Sequence, residues 1–259
     1  MSKSNYTSIL LNQKNNDLTI KNIAHDEYIV AINKWEESIS DFNVIKEIIN
    51  LEHVFSFDAN QINWLKDNNR NSEEFRIDMG VFNKLMMLIL VPLDVDGNSI
   101  EQENYECAVL RELESDLVLS EKQTVTTSKQ FVFSKNGANS ASENTEKTTI
   151  KKPAISIDDA VNIIENWRNN AIEWFDIECN KYNSQRIFRK FYVPLQDIQS
   201  ENLTKSICTF ALKQSESHNK LLPTLVFINH KQVENFFDID IFDWSKPSPP
   251  YTTGGGGLF

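Results

Sequence analysis

The sequence predicts an α+β fold built as two tandem, diverged copies of a small domain, each with one or two helices on a mostly antiparallel sheet. Three observations carry this expectation. First, Ile23, Asp26, Ile32 and Trp35 recur in order as Ile155, Asp158, Ile164 and Trp167, at an offset of 132. Second, Asn83-Lys84-Leu85 recurs as Asn219-Lys220-Leu221, and Phe55 and Ile62 match Phe191 and Ile198, all at an offset of 136. Third, the apolar residues switch between helical spacing and strand alternation in the same order in each half.

The expected division is a polar, Asn-rich segment over 1–17, a first copy over 18–133, a linker over 134–153, a second copy over 154–246 and a tail over 247–259. A length of 259 residues with 40% hydrophobic residues, five Trp and sixteen Phe suffices for two domain-sized cores. Each copy opens with a helix. Tyr28, Ile29, Ile32, Trp35 and Ile39 form one apolar stripe, and Val161, Ile164, Trp167, Ala171 and Trp174 form the other. Ser156 is placed as an N-cap, with Asp159 three residues on. Asp26 and Asp158 fall in the first turn, where a carboxylate meets the positive end of the helix dipole. Trp35 and Trp167 read as helix–sheet core.

Strands are expected next at Phe55-Ser56-Phe57 and Phe191-Tyr192-Val193, each followed by a short helix, near 60–65 and 195–200. Strand patterns then run over 75–81, 85–91 and 118–133 in the first copy, and over 207–212 and 221–228 in the second. Asp96-Gly97 is a turn signal. The region after residue 133, rich in Ser, Asn, Thr, Glu and Lys, has too little apolar surface to offset the entropy of ordering it. A final strand is expected over 238–244. Lys246-Pro247-Ser248-Pro249-Pro250-Tyr251 follows as a stiff extended piece.

Composition excludes several classes of function. A net charge of −11, with no dense basic run, argues against nucleic acid as a partner. No apolar run approaches the ~20 residues of a membrane span, and Ile9-Leu10-Leu11 is too short for a secretory signal. Cys107, Cys179 and Cys208 are sparse and unpaired in sequence, which suits a reducing, cytoplasmic setting. Only Gly80, Gly97 and Gly137 precede the tail, so no glycine-rich phosphate loop exists.

No nucleophile elbow is present, and His25, His53, His218 and His230 hold no matching places in the two halves. A pairing of Cys208 with His230 is conceivable, although a buried, inert cysteine is the simpler reading. Asp94-Val95-Asp96-Gly97-Asn98 has the wrong spacing for a calcium loop and reads as a solvated turn. Asp238, Asp240 and Asp243 read as charges that blunt a sheet edge rather than as a cation site. No cofactor, metal or catalytic residue is expected.

The tail carries the functional expectation. Pro249, Pro250 and Tyr251 form a stiff lead, Gly254, Gly255, Gly256 and Gly257 a flexible hinge, and Leu258 and Phe259 an apolar end suited to a partner's groove. A bland, unstructured end is the competing reading. A ubiquitin-like carrier role would need trimming of Leu258 and Phe259.

The Trp-bearing helix Ile155-Ser156-Ile157-Asp158-Asp159 through Trp167, the strand Ile241-Phe242-Asp243-Trp244 and the ending Ser248-Pro249-Pro250-Tyr251-Thr252 together resemble a loose set of uncharacterised bacterial α+β proteins. Those proteins finish in C-P-P-x-C. Here Ser248 and Thr252 replace both cysteines, which removes any thiol or metal role for the pair. The resemblance implies a fold and no catalysis. The functional expectation is therefore a non-enzymatic, protein-binding or adaptor protein. The alternatives are a small-ligand binder or enzyme with a site between the copies, and a structural subunit of a larger assembly.

Overall fold

The computed structural model describes residues 10–11, 18–113, 117–122, 128–134, 137–141, 155–198, 202–214, 221–233, 236–243 and 245–248. Two short strands, β1 (Leu10–Leu11) and β2 (Leu18–Thr19), pair with each other. β3 (Asn22–Ala24) leads directly into α1 (His25–Ser38). The Glu27 carboxylate accepts the Ala24 N–H at 3.0 Å, and Asp26 joins it in the first turn. α2 (Phe42–Ile48) is capped by Asp41, whose carboxylate accepts the Asn43 N–H.

β4 (Phe55–Asp58) ends at the N-cap of α3 (Ala59–Asn68). Asp58 accepts the Gln61 N–H while the Gln61 amide oxygen accepts the Asp58 N–H, a reciprocal capping box. β5 (Glu74–Phe82) and β6 (Leu85–Val91) are joined by Asn83 and Lys84, with φ of 50° and 64°. Two successive left-handed residues are what a tight hairpin with right-handed strand twist requires. This gives Asn83-Lys84, one of the recurring motifs, a conformational reason.

β7 (Asn104–Val109) completes the first run of strands. A separate antiparallel sheet follows, made of β8 (Leu117–Lys122), β9 (Ser128–Ser134) and β10 (Gly137–Ala141). β10 lies inside the stretch expected to be an unstructured linker. Its backbone pairs with β9, so residues 137–141 form strand despite their weak apolar content.

α4 (Ile157–Tyr182) is 26 residues long, almost twice α1. Ser156 caps it as expected, its hydroxyl accepting the Asp159 N–H at 3.1 Å. Then come β11 (Lys190–Pro194), a 3-10 turn at Leu195–Ile198, β12 (Leu203–Gln214), β13 (Leu221–Val233), β14 (Phe236–Phe242) and β15 (Lys246–Ser248). Lys246 and Pro247, expected in a free extended segment, instead pair antiparallel with β11 at an edge where a proline is tolerated.

Every strand pairing is antiparallel, in sheets of order β15-β11-β5-β6-β7-β3 and β14-β13-β12-β4 besides the two smaller ones. The connectivity is reciprocal. β5, β6 and β7 form one meander, and its β5 edge is extended by β11 from the second half. β12, β13 and β14 form the other meander, and its β12 edge is extended by β4 from the first half. Each half therefore lends one strand, β4 or β11, to the sheet of the other.

Strand alternation then sorts the side chains into three cores. Phe75, Ile77, Met79, Leu88 and Leu90 face the same cluster as Cys208, Phe210, Leu212, Leu225 and Phe227, together with Trp35, Trp167 and Phe188. The opposite face of the six-stranded sheet, with Met87, Ile89, Val91, Tyr105 and Cys107, packs on Tyr28 and Ala31 of α1. The opposite face of the four-stranded sheet, with Ile207, Ala211, Val226 and Ile228, packs on Ile157, Ala160 and Ile164 of α4.

Both recurrent tryptophans are core. The Trp35 indole N–H donates to the Phe188 carbonyl at 2.9 Å. Of the expected stripe on α1, Tyr28, Trp35 and Ile39 are buried and Ile32 is partly buried, whereas Ile29 is exposed and Ala31 and Ser38 are buried as well. Gly80, beneath Ala31, lets α1 close on β5, since a Cβ there would sit 2.9 Å from Ile89 Cδ1 and 3.1 Å from Ala31 Cβ.

Candidate functional site

The seven buried residues of α4, from Ile157 to Glu178, follow one helical line. Its C-terminal half carries more apolar surface than that line can bury. Trp174 is only partly covered, although its ring contacts Phe175 at 5.0 Å and stacks on Phe188 at 6.0 Å between centroids. Ile177 is 42% exposed. The helix ends at Asn183 and Ser184, with φ of 48° and 59°, and the Ser184 N–H caps the Glu178 carbonyl at 2.9 Å. That left-handed turn brings Arg186 back over the last turn of the helix.

The Arg186 guanidinium lies 3.9 Å from the centre of the Tyr182 ring and donates to Glu178 Oε1 at 2.9 Å. With Asn170, Glu173 and Leu221 of β13, these residues line a groove of about 340 Å³ on the outer side of α4. The Lys181 ammonium, and after it Arg186, draw the Tyr182 hydroxyl below its ordinary pKa. The groove has an apolar floor, an aromatic wall and an ion pair satisfied within itself. Its lining is mostly apolar, with Glu173 and the Arg186–Glu178 pair as its charged members.

A second polar cluster lies under α1. Arg76 donates to both oxygens of Asp78, at 2.6 and 2.8 Å, and the Tyr28 hydroxyl donates to Asp78 Oδ2 at 2.7 Å. Tyr28 stacks on Tyr105 at 4.4 Å between centroids. Burial, reinforced by the Asp78 carboxylate, pushes the Tyr28 hydroxyl far above its usual range. The hydrogen bonds are spent within the cluster, so it holds α1 to β5. Its signal in the sequence is Arg76-x-Asp78, which with Glu74 sets charges on one face of a strand whose other face is apolar.

The residues singled out from the sequence are placed as follows. Pro249, Pro250, Tyr251, Gly254, Gly255, Gly256, Gly257, Leu258 and Phe259 lie outside the described residues, as do His218 and Asn219-Lys220. Cys208 faces Phe227 across β12 and β13, whereas His230 faces Lys205, so the two do not meet. Burial raises the Cys208 thiol well above its normal pKa, which leaves it inert. Asp94 closes its own turn by accepting the N–H groups of Asp96 and Asn98.

Asp240 and Asp243, expected as solvated edge charges, are instead buried and paired with Lys231 and Lys213. Lys231 on the neighbouring strand β13 pairs with Asp240, and Lys213 of β12, one strand further, pairs with Asp243, so each carboxylate turns inward against a cation. Among the described residues no three His, Cys, Asp or Glu side chains converge as a metal site, and no helix is long and apolar enough to cross a membrane. The groove itself was missed, because Trp174 reads as core by spacing. The available clue was the crowding of Trp174, Phe175, Ile177 and Tyr182 on one helix end. Comparison with known families, curated proteins and solved structures gave no match.

Proposed function

We propose that this chain is a non-enzymatic protein-binding protein that holds an apolar segment of another protein in the α4 groove. The observation that supports this reading is the half-exposed Trp174–Ile177–Leu221 floor beside a neutral Arg186–Glu178 pair. An adaptor needs such a surface, and a monomer gains nothing from keeping it open. Its described cysteines are free thiols, in keeping with a reducing, cytoplasmic setting. Ile177→Glu should abolish recovery of the partner from a lysate of the native host while leaving the far-ultraviolet spectrum unchanged. Equal recovery by both forms overturns the groove as the contact.

A second contact element is the segment 249–259, favoured because β15 delivers it at a sheet edge rather than into the core. We also infer that the two halves are diverged copies of one ancestral unit. Support comes from the matched order of strand, short helix or turn, and three-stranded meander, with reciprocal exchange of β4 and β11. The region where the halves meet is filled by Phe188, Trp167, Phe210 and their neighbours. That packing disfavours a ligand cleft between the copies.

A further inference from the structure

We propose that the α4 groove takes a lysine side chain of the segment it binds, with the ammonium held between the Trp174 ring and the Glu173 carboxylate. The anchor rests on the reading of the groove as a contact surface, and specifies what the bound segment must carry. Two rows of α4 make the site. Asn170, Trp174, Glu178 and Tyr182 follow at four-residue intervals along an inner row, each buried or half-buried. Glu173 and Ile177 stand one turn apart on the outer row, and both are exposed. Glu173 therefore flanks Trp174 on its solvent side.

The other end of the same groove shows what such a pair does with a cation. There the Arg186 guanidinium lies 3.9 Å from the centre of the Tyr182 ring and donates to Glu178 Oε1 at 2.9 Å. An aromatic face and a carboxylate thus hold one cation together. Trp174 and Glu173 set the same two partners side by side, about two turns nearer the start of the helix. The indole is the ring that binds cations best. Arg186, the one cation in the lining, is already engaged by Glu178 and Tyr182, and Glu173 joins no ion pair among the described residues.

Charge complementarity selects the occupant. Glu178 and Arg186 cancel, which leaves the lining with one negative charge, that of Glu173, on a chain of net charge −11. An acidic side chain would be repelled. A wholly apolar one would take water from the Glu173 carboxylate and return nothing for it. Lysine satisfies both parts of the lining: its four-carbon stem lies along Ile177 and Leu221, and its compact ammonium reaches the carboxylate and the ring. A volume of about 340 Å³ is at the small end for a ligand pocket, a size for one anchoring side chain and its neighbours.

The test follows the indole Nε1–H resonance of Trp174 in the full-length protein, assigned with Trp174→Phe, as two capped peptides are titrated at low salt. One is Leu-Ala-Lys-Ala-Leu, and the other has norleucine in place of lysine, so that they differ in the ammonium. The lysine peptide should bind about five-fold more tightly, the size expected of one exposed cation–ring contact and one exposed ion pair. Glu173→Gln, an exposed and nearly isosteric change, should lower that preference to about two-fold, which the ring alone supplies. Equal binding of the two peptides to the wild type overturns the lysine anchor and leaves the groove as an apolar contact. A resonance moved by neither peptide overturns the anchor as well. So does a preference that Glu173→Gln leaves whole, because the overall negative field of the protein would then be its cause. Loss of partner recovery in Ile177→Glu bears on the proposed function alone.

Discussion

Phe188 is the residue through which the two halves hold each other, and its truncation is the sharpest test of the architecture. It is fully buried, and its ring lies 5.1–6.5 Å from those of Trp35, Trp167, Trp174, Phe175, Phe191 and Phe210. Its carbonyl also accepts the Trp35 indole N–H. Trp35 belongs to the first half and the other five to the second. Phe188→Ala removes a whole ring from a close-packed site, which costs about 3–5 kcal/mol. Loss of the aromatic pairings, each about 0.5–1.5 kcal/mol beyond burial, places the change toward the upper end.

Urea unfolding should be followed in parallel by tryptophan fluorescence and far-ultraviolet circular dichroism. With a slope of about 2–3 kcal/mol per molar urea, the midpoint should fall by about 1–2 M. The informative part is coincidence of the two probes. Because β4 is hydrogen-bonded to β12 and β11 to β5, neither half keeps its sheet when the other melts. Wild type and variant should each show one transition, common to both probes. Two separated transitions, with only one moved by Phe188→Ala, would refute the shared core. So would a loss below about 1 kcal/mol.

Three further outcomes follow from local packing. Gly80→Ala should destabilise by about 1–3 kcal/mol in the same urea assay, because the new methyl meets Ile89 and Ala31 below contact distance. Arg186→Met should cost about 3 kcal/mol by leaving the buried Glu178 without its cation, and adding Glu178→Gln should recover part of that loss. Burial, and then the nearby Lys205 ammonium, depress the pKa of His230, so the folded protein binds its proton less well than the unfolded chain does. That contribution is complete above the unfolded pKa of about 6.5 and is lost as pH falls through it, and His230→Gln should flatten the urea midpoint between pH 8 and pH 5.

Much of the fold was legible in the sequence because local physics decides it. Ser156 as a cap, Asp96-Gly97 as a turn, and the alternating run from Phe75 are set by a few adjacent residues and survive any tertiary context. The exposure of Ile29 on α1 was not legible. Tyr28 and Ile29 are adjacent, and only the Asp78 carboxylate beneath the helix decides that the tyrosine turns inward. Asp240 and Asp243 misled for the same reason, since Lys231 and Lys213, which neutralise them, stand on other strands, β13 and β12. The groove was hidden because spacing reports which residues share a face, and coverage of that face depends on what lies opposite.

Strand exchange explains why the recurring motifs were easy to see while the connectivity was not. β4 and β11 carry aromatic residues at matching places, Phe55 and Phe191, and a local pattern of this kind does not decide which sheet a strand joins. An edge strand offers the same unpaired N–H and C=O groups to either neighbour, and an aromatic face fits either half of a common core. Once β11 lies on β5, however, its outer edge is free to receive β15. A chain with unexchanged strands would leave β15 without β5 behind it, so the place of β15 at this edge depends on the way the two halves are interlocked.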